Sequence, residues 1–255
     1  MQEEMHRKII NKLDEVEQLE HVRILLAIES GSRAWGFASP DSDYDVRFIY
    51  VREPEEYLRL NRVRDVIEWQ LDEIYDINGW DVSKALRLLH SSNPTLFEWS
   101  KSPIVYRRTD EYDEIERILP IYFDSRKELY HYWHMADLMY RRYLQSEDVQ
   151  IKKYFYVLRP MLAANWVIKQ STPPPILFSD LLDAECPPKI RPEIERLLDL
   201  KKNTPELGMV PKIVTLDHYI EETLPTYRDI AAHMESKTVG WKDLNEAFRK
   251  LVRLT

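Results

Sequence analysis

Residues 29–50 read ESGSRAWGFASPDSDYDVRFIY, and the fold follows from how this stretch is parsed. Before it, residues 22–28 (VRILLAI) form a short apolar run rich in branched side chains, the pattern of a strand buried on both faces. Ser30, Gly31 and Ser32 break that run, residues 33–37 are expected to make a short helix, and Ser39, Pro40, Asp41 and Ser42 have loop chemistry. Residues 44–51 (YDVRFIYV) then read as a second strand. The chain has five glycines in 255 residues, and two of them, Gly31 and Gly36, fall here, where a backbone turns tightly or comes close to a ligand.

Outward from this stretch, Ile9, Ile10, Leu13, Val16 and Leu19 recur at three- and four-residue steps and predict an amphipathic helix over residues 2–19 that covers one face of a sheet. One or two helical turns are expected at 54–60. Strands are expected at 65–71 (DVIEWQL) and 73–77 (EIYDI), joined around Asp72 and pairing as a hairpin. From Asp81 the periodicity turns helical: Val82, Ala85, Leu86, Leu88 and Leu89 form one stripe, and Asn93-Pro94 supplies an N-cap and an N1 proline for a second helix carrying Leu96, Phe97 and Trp99. Further helices are predicted at 110–119, 126–144, 149–169, 191–200, 217–234 and 241–252, with no comparable strand pattern after about Tyr106. The fold expected is α+β: a mixed β-sheet with flanking helices over residues 1–123, followed by an all-helical C-terminal domain over 124–255.

Composition narrows the class. Hydrophobic residues at 44% with 31% charged residues suit a soluble globular protein and exclude extended disorder. No apolar run reaches transmembrane length and the first twenty residues alternate charge with apolar positions, so neither a membrane span nor a signal peptide is expected, and a cytoplasmic location is. A single cysteine, Cys186, excludes an intrachain disulfide and a cysteine-rich zinc site. A net charge of −8 argues against a protein that coats nucleic acid non-specifically.

Asp43 and Asp45 stand two apart at the start of the second strand, so both carboxylates leave the same face while Tyr44 points the other way. Two carboxylates held together repel unless a cation lies between them. Hard oxygen donors suit Mg²⁺, or Mn²⁺ in its place, which keeps waters and completes its shell with substrate phosphates. Gly31 and Ser32 offer backbone N–H groups and a hydroxyl for those phosphates. A third acid on a neighbouring strand would allow two metals, and Asp76 and Glu68 share the required local pattern, each flanked by apolar residues. Calcium is excluded, because Val46 and Arg52 stand where an EF-hand loop needs glycine and a bidentate glutamate.

The spacing of Gly31-Ser32 and Asp43-x-Asp45 resembles the signature of the DNA polymerase β superfamily of nucleotidyltransferases. The strings GSRAWGFASPDSDYDVRFIY, GWDVSKALRLL, NPTLFEW and KKYFYVLRPMLAANW resemble more closely its RlaP or YcgL type, named for an association with RNA ligases in RNA repair. The resemblance implies that Gly31 and Ser32 bind the triphosphate of an NTP and that Asp43 and Asp45 hold metal. It also implies that Asp76, at the position preceding the strand-to-helix turn, is the third acid rather than Glu68. Lys84, one turn into the helix after Asp76 and a recurring residue of the family, is a candidate nucleotide contact by its closeness to the third acid, and Glu98 resembles a recurring acid for which a structural role is favoured.

Other cations surround this constellation. Arg33 follows the phosphate turn, and Arg47 lies on the face of Asp43 and Asp45, able either to contact a phosphate or to neutralise the acidic pair. Between residues 126 and 169 eight Lys or Arg stand against four acids, with nine aromatics interleaved, a composition that could guide single-stranded RNA or a base; most aromatics there are expected in the core, and Lys152, Lys153 and Arg159 are the expected ligand contacts. His131 and His134 have zinc spacing without a further ligand and are expected to be structural. The function expected is transfer of a nucleoside monophosphate from an NTP to a hydroxyl of an RNA end, with a protein hydroxyl as alternative acceptor and a non-catalytic nucleotide or RNA sensor as the alternative class.

Overall fold

A computed structural model describes residues 2–72, 74–203 and 208–253. Helix α1 (Gln2–Glu20) buries Ile9, Leu13 and Val16 completely, one residue per turn on a single face. It covers a five-stranded sheet built from β1 (Val22–Glu29), β2 (Tyr44–Arg52), β3 (Val66–Leu71), β4 (Tyr75–Asp81) and β5 (Val105–Arg108) in the order β3-β4-β2-β1-β5. The β2–β4 pair is parallel and the other pairs are antiparallel, so the sheet is mixed.

The pleat of β2 divides its side chains between two cores. Val46, Phe48 and Tyr50 pack toward α1 with Ile24, Ile67 and Ile77, whereas Ile49 and Val51 join Leu25, Leu26 and Ile28 on the opposite face. That second face meets α4 (Val82–His90), α5 (Pro94–Ser100) and α6 (Asp113–Tyr122). The same core continues through α7 (Ser125–Tyr143), α8 (Ile151–Gln170), α9 (Phe178–Glu185), α10 (Arg191–Asn203), α11 (Val214–His233) and α12 (Lys242–Leu251). Short helical turns α2 (Gly31–Ala34) and α3 (Pro54–Tyr57) flank β2. Asp124 is buried and caps α7 by accepting from the N–H groups of Arg126 and Lys127; its other oxygen accepts from Ser236 and the Lys237 N–H. Asn93 caps α5 as its sequence indicates, accepting from the Thr95 N–H ahead of an N1 proline.

Five elements depart from the sequence-based expectation. Strand β5 lies beyond the expected last strand: its outward Arg107 and Arg108 pair with Asp14 and Glu17 and with Asp113 and Glu116, so it carries no apolar alternation to announce it. Strand β4 continues past Ile77 to Asp81, although Asn78-Gly79 has turn composition. Gly79 belongs inside the strand because Phe48 of β2 lies flat against it; a Cβ there would fall 2.2 Å from the ring. Glu73, the expected first residue of that strand, lies outside the described residues. Helix α9 was not expected, and the helical C-terminal part also contains a two-stranded ladder of β6 (Asp148–Gln150) and β7 (Met209–Pro211). Among the described residues no helix is long and apolar enough to cross a membrane.

Candidate active site

The backbone between β1 and β2 folds around one carboxylate. Gly31 has φ +60°, and a Cβ on it would lie 2.0 Å from Asp45 Oδ2, so the Asp45 carboxylate occupies the space that any side chain at 31 would take. Two backbone contacts fix this register: the Ser30 N–H donates to the Asp45 carbonyl at 2.8 Å, and the Asp45 N–H donates to Glu29 Oε1 at 2.9 Å. Gly31→Ala is therefore expected to cost about 1–3 kcal/mol of stability and to displace the carboxylate. Urea unfolding together with a structure of the variant checks it.

The loop that carries Asp43 is stapled to the turn. Ser32 Oγ donates to Ser42 Oγ at 3.2 Å, and that same Ser42 oxygen accepts from the Ser39 N–H at 3.0 Å. Arg33 Nε donates to the Asp43 carbonyl at 2.8 Å, its Nη2 donates to the Ser42 carbonyl, and its guanidinium lies 3.9 Å over the Tyr44 ring. Arg33 thus fixes the entry to β2.

In the parallel β2–β4 pair Asp45 stands in register with Asp76. Both carboxylates hold one cation, Arg47, whose Nη2 reaches Asp45 Oδ1 at 2.9 Å and Asp76 Oδ2 at 2.6 Å while Nη1 donates to the Asp76 carbonyl at 2.6 Å. Asn78 Nδ2 steadies the other Asp76 oxygen at 3.2 Å. Register thus puts Asp76 rather than Glu68 beside Asp45: Glu68 lies on β3, one strand further out, opposite Asn78, and pairs with Arg64 in solvent.

Among the described residues no group of three or more His, Cys, Asp or Glu side chains converges as a metal cluster. The donor set nevertheless fits a hard divalent cation at Asp45 and Asp76: two carboxylates from adjacent strands already meet a positive charge between them, with Asp43 on the loop just before β2. The Arg47 guanidinium supplies the positive charge between them. Asp45, Arg47 and Asp76 remain partly open to solvent, with side chains 22%, 16% and 26% exposed.

Other sequence-derived candidates lie elsewhere. Because β4 runs to Asp81, the residue immediately before α4 is Asp81, which is buried and occupied as a cap for the Ser83 N–H and as acceptor of the Tyr57 hydroxyl. Lys84, expected near Asp76, sits instead past the far end of β4, separated from it by about 16 Å of strand, and pairs with Asp65. Arg159 is 3% exposed, bonds Glu98 Oε1 at 2.9 Å and lies 4.4 Å from the Trp35 ring; burial removes it from direct ligand contact and gives it a positioning role. Glu98 also accepts from the Tyr132 hydroxyl. Lys153 lies over Tyr143 and Tyr156, and Tyr156 packs edge-on to Trp35, so this lysine reaches the outer side of the site loop; its neighbour Lys152 shares the first turn of α8. Among the described residues His131 and His134 form no metal group.

Composition hid a second tier of residues. Lys201, buried on α10, donates to Ser39 Oγ at 2.9 Å, and Phe37 stacks on Phe155 with Phe178 edge-on, so α8, α9 and α10 hold the loop between Gly31 and Asp43. Glu29 is fully buried beneath Asp45, with Tyr106 donating its hydroxyl to Oε2. Burial raises its carboxyl to about 7, with the nearby Asp45 charge adding to the rise and the Tyr106 and Asp45 hydrogen bonds offsetting part of it. Burial and the Glu29 carboxylate push the Tyr106 hydroxyl well up.

This gives a pH signature. Glu29 ionises near 4.5 in the unfolded chain and near 7 when folded, so its contribution to stability is complete below about 4.5 and is lost as pH rises to about 7. Glu29→Gln has no such proton to lose. Relative to the wild type, the variant is expected to gain roughly 3 kcal/mol between about pH 5 and about pH 8, read by urea unfolding at each pH.

Comparison with known proteins assigns the family. A family profile, RlaP, described as the RNA repair pathway DNA polymerase beta family, matches residues 5–250. The chain is also 40% identical over 250 residues to the uncharacterized protein YcgL of Bacillus subtilis (strain 168), covering 97% of this chain and 95% of that protein. A match that takes in the Gly31 turn, the Asp45–Asp76 pair and the helices that brace them shows that the chain belongs to the RNA repair pathway DNA polymerase β family.

Proposed function

We propose that this chain transfers a nucleoside monophosphate from an NTP to a hydroxyl at an RNA end and releases pyrophosphate. The observation that carries the reading is the in-register Asp45–Asp76 pair on parallel strands, closed over Gly31 and bridged by a cation. The acceptor oxygen attacks the α-phosphorus, the bond to the β-phosphate bridging oxygen breaks, and pyrophosphate leaves. The hydroxyl proton passes to the Asp76 carboxylate, which Asn78 and its strand register hold beside Asp45.

Gly31 and Ser32 open a helical turn whose first N–H groups have no carbonyl partner within the turn, and these cradle the triphosphate. Asp43, Asp45 and Asp76 would hold Mg²⁺, or Mn²⁺ in its place, which supplies charge neutralisation on the phosphates and the attacking oxygen. Arg47 balances the charge of Asp45 and Asp76 and would face the phosphates with a metal held there.

The test incubates purified protein with Mg²⁺, RNA bearing free 5′ and 3′ hydroxyls, and each NTP in turn. One added nucleotide with equal release of pyrophosphate is expected, and none from an Asp43→Asn, Asp45→Asn variant. RNA ends left unmodified, label appearing on protein instead, or equal behaviour of the variant would overturn it.

A further inference from the structure

A cleft of about 890 Å³ opens on the α1 side of the sheet, against the start of β2 and on the opposite face from Asp45 and Asp76. Its walls include Arg33 and Tyr44 from the site loop, Tyr106 from β5, and Glu3, His6 and Arg7 from α1. We infer that this cleft seats the nucleotides adjoining the terminal one of a single-stranded RNA acceptor, an inference that rests on the nucleotidyl-transfer reading above.

Size is the first argument. The volume lies in the upper part of the range for small-molecule sites and exceeds what one nucleotide needs. Rigidity is the second: two backbone carbonyls pin the Arg33 guanidinium flat against Tyr44, and the Tyr106 hydroxyl is committed to Glu29 while its ring leans on His6 at 5.2 Å. The Arg33 guanidinium and the His6 ring, each backed by a tyrosine, are planar surfaces ordered before any ligand arrives, which suits base stacking without sequence choice.

Charge is the third argument. Arg7 is exposed and has no ion pair among the described residues, whereas Lys8 beside it is paired with Glu4 and Lys12 bonds Gln70. Arg7 supplies a cation for a backbone phosphate, and Glu3 supplies an acceptor for a ribose hydroxyl or an exocyclic amine. Position is the fourth. Arg33 and Tyr44 adjoin Asp43 directly, by hydrogen bond and by sequence, so a strand leaving the cleft across the start of β2 carries its end toward the carboxylates on the opposite face.

The experiment measures fluorescence anisotropy of a labelled single-stranded hexaribonucleotide with the full chain, without NTP or metal. Saturable binding is expected for the wild type. Arg7→Glu and His6→Ala are each expected to weaken it about tenfold, while Arg62→Glu, an exposed charge on the loop before β3, leaves it unchanged. NTP affinity, read separately by thermal stabilisation, stays within about twofold in all three variants. No saturable RNA binding by the wild type, unchanged binding by the Arg7 and His6 variants, or parallel loss of NTP affinity would overturn the inference. Pyrophosphate release with a protein acceptor would overturn it while leaving nucleotidyl transfer standing.

Discussion

Asp45→Asn is expected to lower NTP-dependent pyrophosphate release by about a thousandfold or more, roughly 4 kcal/mol of transition-state stabilisation, with the fold intact. The amide keeps the size that fills the space above Gly31, and the backbone bonds from Ser30 and to Glu29 do not involve the side chain. What changes is charge: one of the two carboxylates that meet the bridging cation becomes neutral. Asp76→Asn is expected to match it, and the double variant to be little worse than either single one, because the two oxygens act on one charge. Glu68→Gln and Lys84→Ala serve as controls within about threefold, since one side chain faces solvent beside Arg64 and the other pairs with Asp65. A pyrophosphate assay with circular dichroism on each variant reads both halves of the expectation.

Arg159→Ala is expected to cost about 3–5 kcal/mol, the largest stability loss of any single change considered. Its guanidinium is buried, its partner Glu98 keeps a side chain only 16% exposed, and Tyr132 donates to the same carboxylate oxygen. Removing the cation leaves Glu98 charged in that setting. It also removes the face against which Trp35 packs, so the loop between Gly31 and Asp43 loosens with it. Changing both members, Arg159→Met with Glu98→Gln, is expected to recover more than half of the loss. Urea unfolding separates this outcome from a ligand contact, which would alter nucleotide affinity and leave the unfolding midpoint in place.

Much of this was legible in the sequence. Periodic patterns located α1, β2, β3 and the helices from α4 onward apart from α9, and a continuous apolar run located β1, buried on both faces. The Gly31 turn and Asp45 were legible for local reasons, since a positive φ and a carboxylate at the start of a strand are written within a few residues, whereas Asp43, expected on the same strand face, stands on the loop before β2. Asp76 could not be separated from Glu68 by spacing, because the deciding fact is the parallel register of β4 on β2, a long-range pairing. The same pairing displaced Lys84, whose apparent nearness to Asp76 assumed a strand that ended at Ile77.

Arg159 and Lys201 were illegible for another reason. Both are long basic side chains on helices, ordinarily solvated, and only the packing of α8 and α10 against residues 35–42 turns them inward. Glu29 gave no signal either, as an acid ending an apolar strand reads as the strand's polar terminus. Its burial follows from β5, the edge strand that composition did not reveal.

The central claim is that Asp45 and Asp76 form a cation site in which Arg47 holds the place of a divalent metal. Crystals soaked with Mn²⁺ and a non-hydrolysable NTP test it directly. The account predicts an anomalous peak against the Asp45 and Asp76 carboxylates, with the triphosphate at Gly31 and Ser32 and the Arg47 guanidinium turned from the acids toward the phosphates. Bound nucleotide with Arg47 still bridging both carboxylates, and no anomalous peak between them, would contradict it.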